Sequence, residues 1–265
     1  IVDLQTLLTA LFPDADSNEL QCRSAFATLD YSYFIAANSK RFGQTPLVRL
    51  CDDGAYRLTD EFRSMLEQTT FRTFFTDTVE AGLFNALALA ESSRKHHIRQ
   101  NHGFLYGEKY SVFDVMRLCG WPAEQVPQNV GGYKLDTETG SLPIFIKYEA
   151  GSQYGDRFLN PGEIEWFSKN NRSLKSNEFR WLLDGTEHTP EWQNRHFVPV
   201  FIRRKAEEQE KSYYFVGSAV ALDDVRESVN RSEDGRESKV VVSTLILIKP
   251  VDPELYRHLT GKSAL

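Results

Sequence analysis

Lys239 to Ile248 reads KVVVSTLILI, a run of β-branched and apolar residues stopped by Lys249-Pro250. A strand with apolar residues on both faces must be largely buried on both, so it demands a covered sheet around it. Partners lie upstream. Phe197 to Arg204 (FVPVFIRR) and Ser212 to Leu222 (SYYFVGSAVAL) form a strand pair around the charged loop KAEEQEK. Gly131 to Leu135 and Leu142 to Tyr148 are two more strand candidates, joined by the turn-rich DTETGS. One helix interrupts this texture: Ser111 and Asp114 are spaced as a capping box, Val112, Val115, Met116 and Leu118 follow, and Gly120 stops it. The half after Gly107 is predicted to be a curved or closed sheet with few helices.

The first hundred residues have a different period. Leu4, Leu7, Leu8 and Leu11 recur at helical spacing until Pro13, and Phe26, Leu29, Tyr33 and Phe34 continue the pattern over Leu20 to Ser39. QTPLVRL followed by Asp52-Asp53-Gly54 reads as a short strand-like or loop piece, Thr59 as an N-cap, and Asp77 to Ala90 as a strong helix former. The expected fold is α+β: a helical bundle over 1–103, then a β-rich, curved-sheet or barrel-like domain over 104–265. With 41% hydrophobic and 26% charged residues, the chain has the composition of an ordinary globular protein with a sizeable core.

Chemistry concentrates between Tyr154 and Ser176, in YGDRFLNPGEIEWFSKNNRSLKS. From Trp166 to Arg180 four cations, Lys169, Arg172, Lys175 and Arg180, stand against one carboxylate, Glu178, although the whole chain carries a net charge of −6. A local basic patch laced with Ser168, Asn170, Asn171, Ser173 and Ser176 supplies the donors that nucleic-acid phosphates use. Arg203, Arg204 and Lys205 add a second basic cluster, weakened by Glu207, Glu208 and Glu210. Asp156 suits accepting from the exocyclic amine of cytosine, and equally capping the next turn or pairing with Arg157. Tyr154 and Trp166 suit stacking on a base, but the alternation in EIEWFS also puts Trp166 on the buried face of a strand.

Other chemistries find little support. A nucleophile elbow, a phosphate-binding glycine loop, a GxGxxG fingerprint and an HExxH helix are all absent, so the chain is not expected to be an enzyme by itself. His96, His97 and His102 lack a Cys or carboxylate to complete a metal site, and Cys22, Cys51 and Cys119 have neither zinc nor disulfide spacing. No metal or cofactor is expected, and unpaired thiols fit a reducing cytoplasm. Ile1-Val2-Asp3-Leu4 is neither a signal peptide nor a membrane span, and reads as the start of a piece cut from a larger protein.

Six segments in order carry a resemblance: YSVFDVMRLCGW, PIFIKYE, YGDRFLNPGEIEWFSKNNRSLKS, FVPVFIRR, YYFVGSAVAL and LILIKPVDPELYRHL. Residues from about Tyr106 to His258 thereby resemble the C-terminal domain of bacterial superfamily-2 helicases that carry a phospholipase-D-type nuclease. The resemblance implies the target-recognition domain of a modification-dependent, type IV-like restriction enzyme, with the fold of the SET-and-RING-associated (SRA) domain, serving in phage defence. It further implies base flipping of a modified cytosine, with 5-methylcytosine as the expected base. Tyr154, Asp156, Trp166, Ser168, Asn170 and Ser173 fall on the family's characteristic base-pocket positions, with Lys169, Arg172, Lys175, Arg203 and Arg204 for phosphates. Phe167 and Arg172 depart from the usual residue types.

The implied partners are double-stranded DNA carrying a modified base and the helicase and nuclease domains of the same parent chain, with residues 1–103 as the coupler between motor and reader. The rival reading is a protein-interaction module that docks the helicase or forms a homodimer without reading DNA.

Overall fold

The computed structural model describes residues 6, 19–43, 45–95, 100–149, 155–185, 189–231 and 237–261. Leu4, Leu7, Leu8 and Leu11, His96 and His97, and Tyr154 lie outside the described residues. The chain divides into two compact units, residues 1–105 with 116–124, and residues 106–115 with 125–265.

In the first unit, helices α1 (Glu19–Leu29) and α2 (Ala36–Ser39) precede a small antiparallel hairpin, β1 (Val48–Leu50) with β2 (Tyr56–Leu58). The hairpin realises the strand-like piece read from QTPLVRL, and the Phe26 ring stacks on Tyr56 at 4.3 Å. Thr59 caps α3 (Asp60–Glu67) by accepting the amide of Phe62, which satisfies one of the helix's orphan donors. The 27-residue α4 (Thr69–Lys95) packs its first turns on Phe62 through Phe71 and Phe75. Apart from those two rings it is exposed at every position described, with Phe74 and Phe84 about 70% accessible. The expected bundle is therefore looser than its helices suggest, with a hairpin inside it. A two-residue pair, β3 (Gln100–Asn101) with β4 (Phe104–Leu105), follows. The 116–124 stretch completes the unit: Glu124 donates its amide to the Tyr33 carbonyl and receives Asn38 and the Ile35 amide on its carboxylate. Gly120 is required there, because its φ is +80° and a Cβ would fall 3.0 Å from the backbone of Leu20 and Gln21.

The second unit is built on a curled, half-barrel sheet. Its elements in chain order are β5 (Lys109–Ser111), α5 (Val112–Leu118, whose last three residues group with the first unit), α6 (Pro127–Val130), β6 (Ile144–Tyr148), β7 (Arg157–Asn160), β8 (Glu163–Phe167), α7 (Asn177–Leu182), α8 (Pro190–Arg195), β9 (Val198–Arg204), β10 (Ser212–Arg231), β11 (Glu237–Leu247) and α9 (Pro253–Thr260). Across the sheet the order is β6-β9-β10-β11-β8-β7, with β5 pairing β10. β6 and β9 run parallel, and the other pairs are antiparallel.

The expected capping box forms, with the Ser111 hydroxyl and Asp114 carboxylate bonded to one another. β11 is buried along its centre, as KVVVSTLILI requires. β10 runs nine residues past the expected Leu222, and its register shifts at three places against β9 and β11. Such bulges bend a strand and raise its twist, which curls the sheet. The strand expected over Gly131 to Leu135 does not form. Gly131 is a left-handed cap on α6 and Gly132 has φ +93°, so only an isolated bridge joins Tyr133 to Ile144. Short helices α7, α8 and α9 were not anticipated; the last is capped by Asp252, and its Tyr256 ring packs 5.1 Å from Phe158. The core gathers Trp166, Phe179, Trp192, Val200, Val241 and Leu245 between sheet and helices.

Candidate nucleic-acid interface

The segment after β8 is laid against β11 by its backbone. Ser168 donates its amide to the Val241 carbonyl and its hydroxyl accepts the Val241 amide, each at 2.8 Å. Asn171, left-handed at φ +59°, donates to the Lys239 carbonyl at 2.7 Å. An Asn tolerates that conformation better than most residues. Ser173 and Ser176 then close a turn: the Ser173 amide donates to the Ser176 hydroxyl, and the Lys175 amide to the Ser173 hydroxyl. The anchored loop carries Lys169 and Arg172 into place beside α7.

There the two cations line a solvent-open cavity of about 800 Å³, together with Tyr133, Lys134, Glu178 and Arg180. The Lys169 ammonium lies over the Tyr133 ring, 4.6 Å from its centroid, a cation–π contact. A Cβ at Gly131 would stand 3.4 Å from Lys169 Cε, an ordinary contact, so the glycine serves its left-handed φ of +53° and does not set the lysine's room. The Tyr133 hydroxyl donates to Glu178 at 2.9 Å and accepts the Lys169 amide at 3.3 Å. Burial and the adjacent Glu178 push the phenol's pKa far up, so it stays a neutral donor. Arg172 Nε pairs with Glu178 at 2.8 Å. Burial first, and then the nearby Arg172 charge, lower the Lys169 pKa. A partly desolvated ammonium beside a second cation gains from an anion that approaches from solvent.

The remaining expected residues are dispersed. Asp156 is half-buried, and its Oδ1 accepts the Phe167 amide at 2.8 Å. It neither caps the following turn nor pairs with Arg157, whose partner is Glu165 at 2.7 Å. Crowding by protein pushes the Asp156 carboxyl up to about 7, opposed only by that one amide. Trp166 is 2% exposed, edge-on to Tyr133 at 5.0 Å, which is the buried-face reading of EIEWFS. Ser168 is buried as well, while Asn170 and Lys175 are exposed and Ser173 is half-buried. Arg203 is buried in a different cavity, and half-buried Arg204 lines a third. Of the ten described residues among those expected from sequence, the Lys169 cavity takes two. Sequence reasoning missed Tyr133 and Lys134, which the non-strand path after Gly131 brings in, and the part of Glu178, which α7 presents two residues beyond the segment. Among the described residues no three His, Cys, Asp or Glu side chains converge as metal ligands, and no helix is long and apolar enough to cross a membrane.

A family model described as a domain of unknown function, DUF3427, matches residues 104–259. A second, described as a domain of unknown function, DUF8090, matches residues 2–90. No curated protein matches the chain. Among solved structures the chain is similar to the DNA recognition domain of the cytosine modification-dependent restriction endonuclease LpnPI, at 14% identity and TM-score 0.34, over 60% of this chain and 87% of that one. It is also similar to the DNA modification-dependent restriction endonuclease AspBHI, at 18% identity and TM-score 0.31, over 63% of this chain and 44% of that one.

Proposed function

Since the chain belongs to the DUF3427 family, whose model spans more than half of it, we propose that its sheet-bearing half is a DNA-binding recognition module of a modification-dependent restriction enzyme. The observation that carries the proposal is the paired cations of the Lys169 cavity: an ammonium and a guanidinium, partly desolvated, held on a rigid loop in a chain of net charge −6. Phosphate oxygens are the natural ligands of such a pair. Exposed Lys175 extends the same contact along a strand. Trp166 and Ser168 hold the loop from inside, which leaves reading of the base to the turn that carries Asp156.

Finer features of the proposal rest on the six-segment resemblance. They are readout of a modified cytosine, with 5-methylcytosine first, by base flipping; residues 1–103 as a coupler and 104–265 as the reader; and helicase and nuclease domains on the same parent chain. The proposal gives this chain binding, and chemistry to its partners.

The test is a titration against matched duplexes that are unmodified, 5-methylcytosine-bearing or 5-hydroxymethylcytosine-bearing, at two salt concentrations. A preference for one modified duplex that survives the higher salt is the expected result. Equal binding to all three would remove base readout, and no binding at either salt would remove the proposal.

One observation favours a second reading, protein docking. α4 exposes Phe74, Leu83, Phe84 and Leu87 to solvent, more apolar surface than a single helix ordinarily leaves uncovered. Tight self-association without DNA would move the weight to that reading.

A further inference from the structure

A second cavity of the sheet-bearing unit, about 660 Å³, surrounds Arg203. Val112, Val130, Phe145 and Tyr213 give it apolar and aromatic walls, and Lys147, Lys211 and the Glu208 carboxylate stand at it with Arg203. Arg203 is only 6% exposed. Its guanidinium lies 4.6 Å from the Tyr213 ring centroid, and Nη1 donates to the Glu210 carbonyl at 2.8 Å. The rest of its donor capacity is poorly used. Nε is buried and meets no acceptor among the described residues. Nη2 is 3.9 Å from the Glu208 carboxylate, beyond hydrogen-bonding distance. That carboxylate accepts from Lys147 at 2.8 Å instead, which holds its pKa below the usual range.

Lys147 of β6 is the register partner of Arg203 on the parallel strand β9, so the two cations flank a single carboxylate oxygen of Glu208. A guanidinium withdrawn from water needs more acceptors than one carbonyl and one distant carboxylate supply. An oxyanion bound between Arg203, Lys147 and Lys211 would meet that need, because an arginine fork suits phosphate oxygens. Phe145, stacked on Phe201, and Tyr213, under the Arg203 guanidinium, form an aromatic wall beside it against which a base can pack.

We propose that this cavity binds a nucleotide, with its phosphate on Arg203, Lys147 and Lys211 and its base against the Phe145 and Tyr213 side. The site is distinct from the Lys169 cavity and stands even if that cavity binds no duplex. Its nucleotide comes either free in solution or as part of a DNA strand.

Calorimetric titration of the whole chain with deoxycytidine monophosphate, deoxycytidine and inorganic phosphate tests the proposal. The monophosphate is expected to bind at least about tenfold more tightly than the nucleoside or phosphate alone, the scale of one charge-assisted contact. Arg203→Met abolishes that binding, and Lys211→Glu, at an exposed position, weakens it about tenfold. If Arg203→Met fails to fold, as read by its circular dichroism melt, Lys211→Glu alone decides. A short single strand that competes with the monophosphate makes the strand the source; a strand that does not compete makes the free nucleotide the source. No binding of either monophosphate or strand, or monophosphate binding unchanged by Lys211→Glu, overturns the proposal.

Discussion

The Asp156 carboxylate accepts the backbone amide of Phe167 at 2.8 Å, joining the residue before β7 to the last residue of β8. This single bond competes with burial, and burial wins, so the carboxyl titrates near 7 instead of near 4. A carboxyl whose folded pKa lies above its unfolded value holds its proton in the fold where the unfolded chain has lost it. Its contribution to stability is complete below about pH 4 and is lost as pH rises through about 7. Urea unfolding is expected to show a loss of about 1–3 kcal/mol from this group between those limits, reduced for partial solvent access. Asp156→Asn should flatten that part of the pH profile; an unchanged profile would place the titrating group elsewhere.

Lys169→Ala removes one of the four cations that line the larger cavity. Duplexes of every sequence and modification should weaken alike, and the slope of log affinity against log salt should fall by about 0.9. Loss of modified-site preference with the slope intact would instead make Lys169 a base contact.

Ser168→Ala takes away the acceptor of the Val241 amide and leaves that donor buried. The expected cost is about 1–3 kcal/mol in unfolding free energy, read as a lower denaturant midpoint. A looser Lys169 loop should accompany it, seen as faster hydrogen exchange at the Asn171 amide.

Replacing Phe74 and Phe84 together by Ser changes two rings that α4 leaves in solvent. Stability should shift by no more than about 0.5 kcal/mol per site, as for surface positions generally. Sedimentation is the informative measurement. A fall in self-association would support the docking reading, and unchanged behaviour would separate α4 from it.

Gly120→Ala should destabilise the first unit by about 1–3 kcal/mol, since the added methyl meets the Leu20 and Gln21 backbone at a φ of +80°. A thermal melt followed by tryptophan fluorescence reads the loss, because Trp121 is the next residue and is buried.

Much of the sheet was legible because its strands are nearly all apolar: KVVVSTLILI, FVPVFIRR and SYYFVGSAVAL each became a strand where expected. The far half of β10 was not. DDVRESVNR is polar and charged, and it is held extended by its register with β11, which is tertiary pairing that no local pattern announces. Gly131 to Leu135 misled in the opposite sense, because two glycines were read as a strand edge where they serve left-handed backbone. The site was half legible. Lys169 and Arg172 were visible as a local excess of charge, but Tyr133, which holds the Lys169 ammonium and the Glu178 carboxylate, is far away in sequence. The alternation in EIEWFS did put Trp166 on the buried face, whereas nothing local revealed that Ser168 is a buried support of the loop.

The parallel pairing of β6 with β9 has a kinetic consequence. Between these two neighbours the described chain forms β7 and β8 at the opposite edge of the sheet, then the Lys169 loop, α7 and α8, before β9 begins. The seam cannot zip up from a local turn; it waits for a long excursion to be laid down, and contacts so distant along the chain form slowly. Refolding of this half should therefore be paced by closure of that seam, with the Lys169 loop assembled as a condition of it.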